Sequence, residues 1–147
     1  ALIETFGYKT KEVMNLRTEF CRSFLELAQK RSEGIDVRHL HISHSQGSIQ
    51  TKHALRGLPD PVRQHVEVLN INGGKVVPEK YCFRATNLQS SGDIVPHFDV
   101  GGQIKYRKQI ETVKAHKDAG WLDHTVNSPT FTKLLTKETL DFIDRYK

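Results

Sequence analysis

The sequence predicts an α/β fold: a mainly parallel sheet of about four strands flanked by helices. Three observations carry this. Segments of strand character alternate along the chain with segments of helical periodicity, the pattern of strand–helix–strand units. Around Ser45 a β-favouring run passes straight into a helical one. Breaks rich in glycine, asparagine and proline, such as Asn72-Gly73-Gly74, separate the segments. At 147 residues, with 37% hydrophobic and 27% charged, the chain is expected to form one domain over 1–147 with a conventional core.

The elements follow in order. From Thr10 to about Arg31, Val13, Leu16, Phe20, Phe24, Leu27 and Ala28 recur at three- and four-residue steps, an amphipathic helix capped by Thr10. Ser32-Glu33-Gly34 ends it. Residues 35–44, with Val37, Leu40 and Ile42, form a strand before Ser45. Residues 46–57 carry Gly47, Ile49, Ala54 and Leu55 at helical spacing, closed by Gly57 and Pro59. Asp60-Pro61 opens a short turn, and His65 to Ile71 reads as the second strand. Tyr81 to Asn87 is the third, running into Ser90-Ser91-Gly92-Asp93. Ile110 to His116 is a fourth candidate, and about Pro129 to Tyr146 a final helix carrying Phe131, Leu134, Leu135, Leu140, Phe142 and Ile143. There is no internal repeat and no low-complexity tract.

Composition narrows the function classes. No apolar run approaches membrane-spanning length and no charged-then-apolar leader is present, so no transmembrane segment is expected. Cys21, on a helix face, and Cys82, in an apolar strand, are too few for a disulfide scaffold and lack metal spacing; both read as reduced, buried thiols. The net charge of +5 is scattered, without a long basic run, which argues against a nucleic-acid partner.

The chemistry lies in three loops. In a parallel sheet, catalytic groups collect at the carboxyl ends of strands. Ser45 follows the first strand, Asp93 the third, and His124 lies in a loop after the fourth. A strand breaking into a helix on a serine is the context of a nucleophile elbow, in which the sharp turn lifts the hydroxyl clear of the sheet and small neighbours let the helix pack close. A serine hydroxyl is a weak nucleophile near neutral pH. An imidazole must take its proton, and a buried carboxylate must hold that ring in one tautomer. The chain order Ser, Asp, His meets this requirement and is the order of α/β-hydrolases rather than of the serine proteases.

Three stretches carry a family resemblance. The elbow Ser43-His44-Ser45-Gln46-Gly47, then Ala85-Thr86-Asn87, then Asp93-Ile94-Val95-Pro96-His97-Phe98 resemble the G-H-S-x-G elbow, V-T-N strand end and D-I-V-P-H-L loop of the fungal triacylglycerol-lipase type of α/β-hydrolases. The elbow and the aspartate loop also resemble lipase-like proteins of chlamydial bacteria. The likeness covers about residues 10–145. It implies the C-terminal half of an α/β-hydrolase fold, Ser45 as nucleophile, Asp93 as triad acid, a lipid or small-molecule ester as substrate, and no cofactor. His124 follows by chain order and loop context. The N–H of Gln46, the residue after the nucleophile, is the expected oxyanion donor.

The sequence departs from the family pattern in two places. Ser43 stands at the first elbow glycine. The chain begins at Ala1, close to the helix before the nucleophile strand, leaving no candidate for the second oxyanion donor that an earlier strand's loop supplies in that family. The expectation is a chain lacking an N-terminal segment, with a sheet edge that invites self-association or another chain.

Other readings stay open. Ser45 also suits a helix N-cap, and Asp93 an ordinary turn. Asp99 is the alternative acid and His116 the alternative base. The neighbours Asp123 and Thr125 also fit a solvated loop around His124, and His97 is expected to pack or cap the aspartate loop. His39-x-His41-x-x-His44 places His39 and His41 on one strand face, as a metal site requires. However, a regular strand turns His44 away and no acidic ligand sits within the cluster, so no metal is expected. The expected function is a serine hydrolase of lipase or esterase type; the alternative is a non-catalytic binding or effector module on the same scaffold.

Overall fold

A computed structural model describes residues 10–147. It contains one four-stranded, all-parallel sheet in the order β1-β2-β3-β4, with helices on both faces. The elements are α1 (Lys11–Glu26), α2 (Ala28–Ser32), β1 (His39–His44), α3 (Gly47–Arg56), α4 (Asp60–Arg63), β2 (Val66–Ile71), β3 (Arg84–Ser90), α5 (Val100–Lys105), β4 (Ile110–Val113) and α6 (Pro129–Arg145). Single 3-10 turns lie at Glu79–Tyr81, Val95–Phe98 and Arg107–Gln109. Among the described residues no helix is long and apolar enough to cross a membrane.

Register divides the side chains between two cores. Residues alternate faces along a strand. His39, His41 and Ser43 therefore share a face with Val66, Val68 and Asn70 on β2 and with Ala85 and Asn87 on β3. That face packs on α1 and α3, where Val13, Phe20, Ala54 and Leu55, with Val77 of the β2–β3 loop, complete a buried cluster. The opposite face carries Leu40, Leu69, Ile71 and Leu88 and packs on Phe131, Leu134 and Leu135 of α6. Every residue of β2 is buried, as a central parallel strand covered on both faces requires.

Several boundaries move from the sequence expectation. Thr10 caps the first helix as expected, its Oγ1 accepting the Val13 N–H. The helix does not run unbroken to Arg31: Leu27 steps to φ −97°, ψ 8°, dividing α1 from α2. Arg31 lies over the Phe24 ring and donates to the Phe24 carbonyl at that break. The third strand starts and ends later than the hydrophobic run suggests. Glu79–Tyr81 wraps into a 3-10 turn with the Cys82 N–H on the Glu79 carbonyl, so Cys82 lies in a turn rather than in a strand. Pairing then continues to Ser90, where Asn72 Oδ1 takes the backbone N–H. β4 stops at Val113, short of His116: Ala115 N–H turns to Ser91 Oγ and His116 N–H to Thr130 Oγ1. The short helix α5 lacks an apolar stripe and was not expected; Asp99 caps it by accepting from Gly102 N–H.

Candidate functional site

β1 ends at His44, and the chain turns into α3 at Ser45 with φ 51°. A serine seldom adopts a left-handed backbone, because Cβ crowds the following carbonyl. The turn is held from both sides. Ser48 N–H and Oγ and Gly74 N–H all bond to the Ser45 carbonyl, and Lys75 N–H bonds to Ser48 Oγ. The β2–β3 loop thus braces the elbow. Gly47 has a different role from the one its place in the motif suggests: a Cβ there would meet nothing within 4 Å, so it is not what brings α3 close to the strand.

The three residues expected from chain order come together. Ser45 Oγ lies 2.9 Å from His124 Nε2, and His124 Nδ1 lies 2.6 Å from Asp93 Oδ2. A carboxylate only accepts, so Nδ1 carries the proton and Nε2 is left to accept from the Ser45 hydroxyl. Asp93 is 1% exposed, and its second oxygen accepts the Val95 N–H at 2.9 Å. The imidazole is about a quarter exposed, so it faces solvent on one side and a buried carboxylate on the other. This arrangement can draw the proton from Ser45 and stabilise the imidazolium that results.

Ser45 is not the N-cap of α3; Gln46 is, at φ −59°, ψ −29°. The Gln46 N–H has no acceptor among the described residues and opens the ten-residue helix, where the backbone dipole favours negative charge. Beside the elbow lies a cavity of about 340 Å³ bordered by Leu16, Ile42, His44, Gly47 and Gln50. A second, of about 320 Å³, shares Glu12 and Gln50 with the first and reaches Gln46, between Val13, Ile49 and His53.

The alternative residues are engaged elsewhere. Asp99 accepts from Lys75 Nζ and Val76 N–H, and so belongs to the α5 cap and the β2–β3 loop. His116 bonds through Nδ1 to Asp118 N–H, away from Ser45. His97 is exposed and does not cap the aspartate loop by its side chain; only its backbone N–H closes the turn on Ile94.

Two residues that matter to the geometry were not singled out for it. His44, read as part of a histidine cluster, packs its ring 4.9 Å from that of His124 and donates from Nε2 to the His124 carbonyl. Asp123 is buried rather than solvated, at 4% exposure. His39 and His41 do share a face, but both meet the ring of Phe20 edge-on, and His41 Nε2 pairs with Thr51 Oγ1 at 2.9 Å. Among the described residues, no group of three or more His, Cys, Asp or Glu side chains is disposed to hold a metal ion.

Compared with protein-family models, curated proteins and solved structures, the chain gives no match.

Proposed function

We propose that this chain is a serine hydrolase of lipase or esterase type, related to the α/β-hydrolases, that cleaves a carboxylic ester. One observation carries the reading: a serine at positive φ on a strand-to-helix turn, 2.9 Å from an imidazole that is itself 2.6 Å from a buried carboxylate. Ser45 Oγ attacks the ester carbonyl as His124 Nε2 takes its proton. Asp93 holds the ring and offsets the imidazolium charge, and Gln46 N–H faces the developing oxyanion. His124 then returns the proton to the leaving alkoxide. Water, activated by the same imidazole, releases the acid from the acyl-enzyme. The cavities flanking the first turn of α3 are of a size to take a small acyl group.

A second reading, a binding module on the same scaffold, draws on the sheet edge. β1 pairs only with β2 among the described residues, so no neighbouring strand there brings a second oxyanion donor. Loss of one such donor costs about 10²–10³-fold in turnover.

Fluorophosphonate labelling read by intact mass separates the two. A single adduct on the parent chain, absent from Ser45→Ala and His124→Ala, is expected for the hydrolase. A folded parent that takes no adduct favours the binding module. Hydrolysis of p-nitrophenyl esters at the parent rate by Ser45→Ala would remove Ser45 as nucleophile.

A further inference from the structure

His124 projects from a loop that owes its shape to the residue before it. Asp123 has φ 40° and a buried carboxylate that accepts from three hydroxyls: Ser90 at the end of β3, Ser128 at the cap of α6, and Thr130 in the first turn of α6. Its carbonyl accepts from Asn72 Nδ2 at 2.7 Å. Asn72 is fully buried at the end of β2, also in the left-handed region at φ 45°, and its Oδ1 takes the Ser90 N–H at 2.8 Å. One residue is therefore tied to the ends of β2, β3 and α6 together.

The attachment continues on both sides of the histidine. The carbonyl of Asp123 is held by Asn72, and the carbonyl of His124 is held by His44 at the end of β1. The acid loop meets the same place. A Cβ at Gly92, next to Asp93, would lie 3.3 Å from the Asp123 Cβ, so the two loops touch. Burial pushes the Asp123 carboxyl pKa up, but the hydrogen bonds from Ser128, Ser90 and Thr130 outweigh it and hold the group below the usual carboxylate range. The negative charge also sits at the N-terminus of α6, where the helix dipole favours it.

We propose that Asp123 is the positioning residue for His124, clamping the histidine's own backbone to β2, β3 and α6 so that its ring spans Ser45 and Asp93. The inference rests on the reading of Ser45 as nucleophile. Asp123 touches no reacting atom and acts through His124 alone. Its three hydroxyl partners leave it no spare oxygen directed at the imidazole, so it does not compete with Asp93 for that ring. The reach demanded is narrow: one nitrogen must stay near 2.9 Å from Ser45 while the other stays near 2.6 Å from Asp93. A shift of about 1 Å in such a group can cost about 100-fold in rate.

The test compares the full chain with Asp123→Ala and Asp123→Asn by two readouts: the second-order rate of fluorophosphonate labelling, and the downfield proton resonance of His124 Nδ1–H, assigned against His124→Ala. Asp123→Ala is expected to keep the parent far-ultraviolet spectrum, to label about 10- to 100-fold more slowly, and to lose or shift the resonance. Asp123→Asn keeps an accepting oxygen, and the hydroxyls can turn to suit its amide; it should recover most of the labelling rate. If Asp123→Ala unfolds, the milder pair Ser90→Ala and Thr130→Val removes two of the ties and should give an intermediate loss. Parent-rate labelling with an unchanged resonance, alongside a lower melting temperature alone, would reduce Asp123 to a helix cap and overturn the proposal. If the parent itself fails to label, the nucleophile reading fails, and the resonance alone then decides whether Asp123 places His124.

Discussion

Ser43 donates its hydroxyl to Asn70 Oδ1 at 2.9 Å, between register partners on β1 and β2. Both side chains are buried, and Asn70 passes the chain of bonds to Asn87 Oδ1 at 3.0 Å on β3. The serine at the first elbow position is therefore part of a polar ladder through three strands. Replacing it by alanine leaves a buried amide oxygen unpaired and should destabilise the chain by about 1–2 kcal/mol. Ser43→Gly, which gives the elbow the form G-H-S-x-G, should cost about 0.5–1 kcal/mol more through backbone freedom and should not raise labelling of Ser45. Urea unfolding checks this; a glycine variant at least as stable as the parent would show that the ladder contributes nothing.

The positive φ of Ser45 gives an outcome opposite in sign. Glycine has no Cβ to crowd the following carbonyl, so Ser45→Gly should unfold at higher denaturant than the parent, by about 1 kcal/mol, while losing all labelling. Ser45→Ala keeps the strain and should match the parent's stability. Equal midpoints for the alanine and glycine variants would mean that the turn stores no strain.

A third prediction on stability concerns the far end of the sheet. Glu67 on β2 is 2% exposed and accepts from Arg145 at 2.6 Å and from the Tyr146 hydroxyl, both at the end of α6. Removing one partner of a buried pair strands the other charge. Arg145 is partly exposed, so Arg145→Met should cost about 3 kcal/mol, the low end for such pairs. The paired change Glu67→Gln with Arg145→Met should recover much of that loss. Denaturant midpoints of the single and double variants measure it, and strictly additive losses would rule out coupling.

Stability should also fall with acid through two histidines. Burial, with the charge of His39 beside it, pushes His41 down to about 4. Burial and then Arg31 push His65 down to about 4. In the unfolded chain both protonate near the ordinary value of 6.5. Between these values the unfolded state binds more protons, so the contribution is complete above about pH 6.5 and is lost as pH falls toward 4. Each histidine adds a slope of at most about 1.4 kcal/mol per pH unit within that window. His41→Gln, which keeps a polar group toward Thr51, should flatten the profile of stability against pH; an unchanged profile would show that His41 titrates alike in both states.

Much of the site was legible because it depends on local chain order. A serine at the strand–helix junction, an aspartate after Gly92 and a histidine in the last long loop could be read as a set, because parallel topology carries the ends of successive strands to one edge. The role of Asp123 was not legible. In sequence it stands with His124 and Thr125 in a loop that reads as solvated, and its burial depends on Ser90, Ser128 and Thr130 arriving from two other elements. The late start of β3 was hidden in the same way: Tyr81 and Phe83 look like strand residues, and only the docking of Phe83 N–H on the Val66 carbonyl sets where pairing begins.

By itself the sequence determined the fold class, a mainly parallel sheet flanked by helices, and the identity of Ser45, Asp93 and His124 as a candidate set. These follow from periodicity and turn chemistry, which act over a few residues. The tertiary structure alone decided which polar residues are buried, that Asp99 and His116 belong to other contacts, and that His44 and Asp123 hold the histidine loop from two sides. Burial and hydrogen-bond pairing are properties of surfaces that meet only once the strands are in register, and no local pattern encodes which distant hydroxyl will reach a given carboxylate.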